Sequence, residues 1–278
     1  MLSFNKGRPI AKISGGEYDG EILYLNTEEE NNESCCECDC RKCSDKCKKK
    51  PCCDECGMYN DDLGDYFEVD DGKLIPIPKI HERSVDYIAG PSGSGKSTYA
   101  VGLATAFKRI YPEKDFIVFS RTNVKDDPAF AKMRPIQVLI DESIVTNPID
   151  ITKELSQGCL ILFDDCNTIP DDKQKRAVDK LMADIMEVGR KLKIWIIMTN
   201  HLVIPNEKKV ARTIMNEMQS LTIFPKSGST QQIRYCLKQY YGLNNKQINT
   251  IIGLPSRWVT VMKSYPQCVL HDKGAFIL

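Results

Sequence analysis

Residues 90–98 read GPSGSGKST, a complete G-x-x-x-x-G-K-[ST] phosphate loop. Such a loop works only between a strand that ends at its first glycine and a helix that starts at its lysine. The flanks meet that demand: Val85–Ala89 is an apolar run, and a helix-forming stretch follows the loop. Gly90, Gly93 and Gly95 permit backbone conformations that a Cβ would obstruct, so successive N–H groups can point inward at phosphate oxygens. Pro91, Ser92, Ser94 and Thr98 complete the loop around them. Lys96 supplies a mobile positive charge for the β- and γ-phosphates, and Ser97 a hydroxyl for Mg²⁺. The expected ligand is a nucleoside triphosphate, ATP with Mg²⁺; the bland alternative is a chance Gly/Ser-rich turn.

From residue 81 to residue 278, strand and helix signals alternate. That pattern predicts an α/β fold, a P-loop NTPase with a mainly parallel sheet flanked by helices. Apolar runs at 85–89, 116–119, 136–140, 160–163, 194–198 and 221–224 supply the strands. Between them, residues 172–192 give the clearest helix, with Val178, Leu181, Ile185, Val188 and Leu192 on one stripe. Helical stretches at 230–241 and 245–252 follow, and then a hairpin from 258–262 to 268–270. Residues 1–80 read as a small β module with a cysteine-rich insertion at about 27–62. Two strands surround the glycine-rich turn at 15–20, strand composition resumes at 67–77, and Pro76 and Pro78 mark the exit.

Nothing in the 278 residues approaches a bilayer-spanning apolar run, and the first ten residues lack a signal-peptide core, so a cytosol-like compartment is expected. Thirty-eight Lys and Arg balance thirty-eight Asp and Glu, so any contact with nucleic acid must be local. Of thirteen cysteines, nine fall between Cys35 and Cys56. Without a secretory context these are reduced thiols or metal ligands. Cys40/Cys43 and Cys53/Cys56 form two Cys-x-x-Cys pairs that can close on one tetrahedral Zn²⁺. Two zincs, a thiolate cluster or an unstructured loop remain as alternatives.

A second motif stands at residues 159–165, CLILFDD, an apolar strand ending in two carboxylates. Ligands of parallel sheets sit at the carboxyl ends of strands. Asp164 is therefore expected to hold Mg²⁺, and Asp165 to orient or deprotonate the attacking water. Asp141, after the run 136–140, is the rival for the metal position. The strand at 194–198 ends in Thr199-Asn200-His201, where Asn200 is the expected polar sensor of the γ-phosphate.

The order GPSGSGKST, LILFDDCN, a helix ending EVGRKLK and a strand IWIIMTNH resembles the genome-packaging ATPases of nucleocytoplasmic large DNA viruses, within the FtsK/HerA class. The resemblance covers roughly residues 87–225. It implies ATP hydrolysis coupled to movement of double-stranded DNA into a capsid. It also implies a ring-shaped homo-oligomer, capsid portal or vertex proteins as partners, and a place in the host cytoplasm, in viral factories, and in the virion. Residue by residue, it implies Lys96 and Ser97 on phosphate and metal, Asp164 on metal, and Asp165 as catalytic carboxylate where many relatives carry Glu. Arg190 stands where a neighbouring subunit's arginine completes each site, with Arg212 as second choice, and Asn200 stands where Gln is usual. A nucleotide-bound scaffolding protein and a guanylate-like nucleotide kinase are the competing functions.

One expectation follows from the cysteines alone. Protein purified under reducing conditions without chelator should carry about one zinc per chain, bound through thiolates. Elemental analysis well below that, with the thiols confirmed reduced, would show that the cluster serves no metal.

Overall fold

A computed structural model of the chain describes residues 1–26, 62–80, 82–206 and 208–278. The zinc ligands expected at Cys40, Cys43, Cys53 and Cys56 lie outside the described residues.

The chain begins with β1 (Leu2–Ser3), β2 (Arg8–Ser14) and β3 (Ile22–Leu25), and continues past the cysteine-rich segment with β4 (Asp62–Gly64), β5 (Tyr66–Glu68) and β6 (Lys73–Pro76). Next, β7 (Val85–Ala89) leads through the phosphate loop into α1 (Lys96–Ile110). Then come β8 (Phe116–Ser120), β9 (Ile136–Leu139), the single turns α2 (Ser143–Thr146) and α3 (Ile151–Glu154), and β10 (Leu160–Phe163). The long helix α4 (Asp172–Val188) precedes β11 (Trp195–Asn200), α5 (Lys208–Glu217) and β12 (Ser220–Ile223). Last are α6 (Thr230–Tyr241), α7 (Asn245–Gly253), β13 (Val259–Met262), β14 (Cys268–His271) and β15 (Gly274–Ile277).

Ten strands form the main sheet, in the order β5-β15-β14-β13-β12-β7-β11-β10-β8-β9. Every pairing from β12 through β9 is parallel. The pairings from β12 out to β5 are antiparallel. The expected fold class is therefore present, and the expected C-terminal hairpin is β13 and β14 with β15 added. One detail of the order decides the site. β11 lies between β7 and β10, so whatever ends β11 stands between the phosphate loop and the paired aspartates.

The central strands are buried on both faces, which is why they read as continuous apolar runs. Alternate side chains serve opposite layers. Tyr87, Ile161, Phe163, Ile196 and Met198 pack with Val178, Leu181 and Ile185 of α4 and with Ile214 and Leu237 of α5 and α6. Ile88, Leu160, Leu162 and Ile197 face the other way, onto Ala100, Leu103, Ala104 and Phe107 of α1. Each such Leu, Ile or Phe contributes about 1.5–3 kcal/mol relative to an exposed one.

The long helix is shorter than its sequence stripe. Asp171 caps its start by accepting the Gln174 N–H at 2.8 Å. It stops at Val188, which is 39% exposed, and Leu192 lies beyond it. Its buried face is Val178, Leu181, Met182, Ile185 and Met186. The reason is a reversal: the Ile194 N–H bonds the Gly189 carbonyl at 2.9 Å, and Lys193 adopts φ 53° to turn the chain into β11.

The first strands form a second sheet, in the order β4-β1-β3-β2-β6. Its core crosses residue 80. Leu2, Ile10, Ile13, Leu23, Leu25 and Leu74 pack with Cys268, Leu270 and Ala275 of the C-terminal strands, and β5 itself pairs with β15. Arg8 adds a hydrogen bond from Nη2 to Ser264 Oγ at 2.7 Å. Leu270→Ala should therefore cost about 2–5 kcal/mol and lower one shared unfolding transition in urea. A biphasic transition in which only a minor phase moves would show that the two sheets unfold independently.

Candidate nucleotide site at the strand ends

Glycine is required at Gly90 by close approach, because a Cβ there would lie 2.7 Å from Phe224 Cδ2 and 2.8 Å from Ser94 Oγ. The Gly90 N–H donates to the Asn200 carbonyl at 3.0 Å, which ties the loop to the end of β11. Gly95 adopts φ 109° and is the N-cap of α1, with no side chain capping the helix start. The first N–H groups of α1 are thus left for an anion. Ser94 Oγ is buried and, among the described residues, has no hydrogen-bond partner. Lys96 is only 5% exposed; its Nζ reaches the Pro91 carbonyl at 3.4 Å and stands 3.6 Å from Asp165 Oδ2. A buried cation, an unused hydroxyl and a ring of backbone donors fit a phosphate chain.

The two carboxylates after β10 differ in setting. Asp164 accepts the Thr199 hydroxyl at 2.8 Å. Burial raises its pKa above the usual aspartate value, against the lowering effect of that hydrogen bond. The nearby charges of Asp165 and Asp127 raise it further, and that of Lys96 lowers it. Asp165 has φ 44° and ψ 37°, a left-handed conformation that Asp adopts more readily than most residues. Its own N–H donates to Thr199 Oγ1 at 2.8 Å. Its Oδ2 lies between Lys96 and His201, 3.2 Å from His201 Nε2. One threonine hydroxyl therefore sets both aspartates.

Among the described residues no group of three His, Cys, Asp or Glu side chains forms a metal cluster. Mg²⁺ beside a nucleotide needs fewer protein ligands, because phosphate oxygens and water fill its octahedron. Asp164 and the Ser97 hydroxyl are the donors that suit it.

The structure brings together Lys96, Asp164 and Asp165 with two residues that motif reading passed over, Thr199 and His201. Both flank Asn200: Thr199 is within β11, and His201 follows the strand's last residue. Asn200 is 6% exposed, and its side-chain oxygen accepts the Leu202 N–H at 2.9 Å. Its carbonyl, rather than its amide, meets the loop. Arg190 is exposed at the opposite end of the sheet, before β11, whereas Asn200 at the other end of that strand pairs with Ala89 beside the loop. Arg212 is exposed on α5. Asp141 spends its carboxylate on α2, accepting the Ser143 N–H at 2.8 Å and hydroxyl at 2.6 Å, which holds its pKa below the usual value.

Thr199→Val keeps the volume and deletes the hydroxyl. Its affinity for a fluorescent Mg²⁺–nucleotide should fall about 10–100-fold, while Thr199→Ser stays near the parent. Equal affinities for the Val and Ser variants would show that the hydroxyl is not what sets the carboxylates.

Residues 87–225 match the profile of the ATPase family associated with various cellular activities (AAA). Uncharacterized protein V3 of Sputnik virophage is 37% identical over 279 residues, covering 99% of this chain and 99% of the relative. Among solved structures, B204, the DNA-packaging ATPase from Sulfolobus Turreted Icosahedral Virus, superposes with a TM-score of 0.48 at 10% identity, over 69% of this chain and 98% of that one. The cytoplasmic domain of the Thermomonospora curvata Type VII secretion ATPase EccC gives 0.47 at 12% identity, over 75% of this chain and 28% of that one. Both scores lie below 0.5, and neither likeness identifies a substrate. The family match spans half of the chain and takes in the loop, the Asp-Asp strand end and the end of β11 alike; the chain belongs to the AAA family as a P-loop ATPase.

Proposed function

We propose that the chain is an ATP-hydrolysing motor that moves double-stranded DNA, of the kind that packages a viral genome into a capsid. The observation that carries hydrolysis is the pairing of Asp165 with both Lys96 and His201 at the mouth of the phosphate loop. A carboxylate 30% exposed at that point can hold a water against the γ-phosphoryl group. Lys96 leaves the Pro91 carbonyl and Asp165 for the β- and γ-phosphates when nucleotide arrives, which frees Asp165 to accept the water's proton. Thr199 keeps both carboxylates in register through these steps. Mg²⁺ held by Ser97 and Asp164 neutralises phosphate charge when bound. Water attacks phosphorus, the bond to the β-phosphate oxygen breaks, and ADP and phosphate leave.

The DNA part of the reading is supported by the resemblance of the four motifs to packaging ATPases, and by the order in which they occur. The resemblance gives Arg190 the role of a cation delivered to a neighbour's site, and its exposed position away from its own phosphate loop leaves it free for that role. That role implies a ring of identical chains, with capsid vertex or portal proteins as docking partners. Action in the host cytoplasm and presence in the virion belong to the same reading.

The test is ATP hydrolysis with and without double-stranded DNA. Wild-type turnover should rise with DNA, and Asp165→Asn should lose on the order of 10²–10⁴ in rate at nearly unchanged nucleotide affinity. Lys96→Ala should lose affinity as well. Hydrolysis indifferent to DNA, in chains shown to be oligomeric, would refute the motor reading. Near-parental turnover in Asp165→Asn would remove that residue from the chemistry.

A further inference from the structure

The phosphate loop is gripped from outside by a part of the chain that the motif does not include. Arg257, in the segment between α7 and β13, donates from Nε to the Ser94 carbonyl at 3.0 Å and from Nη2 to the Gly93 carbonyl at 3.5 Å. Its guanidinium lies against Gly95, where an added Cβ would meet Nη2 at 3.2 Å and Cζ at 3.3 Å. We propose that Arg257 is a positioning residue that fastens the phosphate loop in its anion-binding shape. This rests on the reading of the loop as the nucleotide site and adds a residue outside the matched family segment.

The geometry follows from peptide planarity. In a trans peptide the C=O of one residue and the N–H of the next point in opposite directions. By holding the Ser94 carbonyl outward, Arg257 turns the Gly95 N–H away from itself, toward the side where the loop closes on phosphate. The Ser94 N–H is already engaged with the Pro91 carbonyl at 3.2 Å, so the two bonds together define the turn. A guanidinium suits the task because its planar fork holds its donors in fixed directions toward the two carbonyls, which the rotating ammonium of a lysine does not.

The arginine stands on a fixed base. Ser256 is buried and donates its hydroxyl to the Trp258 carbonyl at 2.5 Å. Trp258 packs edge-on against Tyr99 of α1, with ring centroids 5.0 Å apart. The Tyr99 hydroxyl pairs with Thr260 Oγ1 at 2.6 Å, and Thr260 pairs with Thr222 of β12 at 2.8 Å. Residues 256–260 thus hold the loop and the first turn of its helix against one strand. With Gly93 and Ser94 of the loop, Arg257 also lines an open cleft of about 390 Å³ bordered by Lys226, Pro255 and Asp272. That cleft has room for the nucleoside end of a nucleotide, so direct contact with the nucleoside is the competing role for this arginine.

Two probes separate the roles: a fluorescent ATP analogue and inorganic tripolyphosphate, which has no nucleoside. Arg257→Ala should weaken both by the same factor, about tenfold, the value of hydrogen bonds made by a charged donor. Arg257→Lys should fall between, because it keeps the charge and loses the fork. The melting temperature without ligand should stay near the parent, since the side chain is exposed. Loss of ATP affinity with tripolyphosphate unchanged would assign Arg257 to the nucleoside and overturn the proposal. Unchanged affinity for both probes, or a fall matched by loss of the fold in both variants, would overturn it too. A parent chain that binds neither probe would overturn the nucleotide-site reading along with it. A parent that binds both without hydrolysing ATP would fault only the motor reading.

Discussion

The site depends on where β11 sits. Because that strand lies between β7 and β10, its last residues form a bridge between the phosphate loop and the paired aspartates. The bridge has three parts: the Asn200 carbonyl accepts from Gly90, the Thr199 hydroxyl binds both Asp164 and Asp165, and His201 flanks Asp165. A buried hydroxyl that accepts one bond and donates another leaves little freedom to either partner. Such preorganisation is what a phosphoryl-transfer site needs, because the chemistry is mostly positioning and charge. The same insertion explains the burial of Asp164, whose raised pKa follows from its place under the sheet's end.

Much of this was legible in the sequence because buried parallel strands announce themselves. The runs at 85–89, 160–163 and 194–198 are strands at nearly those bounds, and the carboxylates emerge where a strand's end would put them. Strand order was not legible, since pairing partners are set by long-range packing rather than by local pattern. With β11 placed, Thr199 and His201 are seen to meet the aspartates, while Asn200 meets the loop through its carbonyl. The end of the long helix was misplaced for a related reason. Val188 and Leu192 continue the apolar stripe, but Gly189 and the left-handed Lys193 reverse the chain before the stripe is used up. Arg257 carried no local signal at all. It lies 163 residues from Ser94 and reaches the loop only because β13 pairs with β12.

That pairing gives the C-terminal strands two duties. On one face Leu270, Cys268 and Ala275 complete the core of the five-stranded sheet; at the strand ends, residues 256–260 brace the phosphate loop. β13 and β14, hydrogen-bonded along their length, connect the two places. Packed strands thus run from the five-stranded sheet toward the nucleotide site, and β5 extends the main sheet.

At Asp165 the backbone itself selects the residue type. Its left-handed conformation disfavours most side chains, and Asp and Asn are the residues other than Gly that enter it most easily. A glutamate here would carry its carboxylate farther but would sit less easily at φ 44°. The shorter side chain is met from two sides instead, by Lys96 at 3.6 Å and His201 at 3.2 Å. What the aspartate loses in reach, its neighbours supply in placement. The backbone bond from Asp165 to Thr199 holds the strained residue where both can touch it. The identity of the residue at 165 is thus tied to the hydroxyl at 199 and the imidazole at 201, and the three are best understood as one unit.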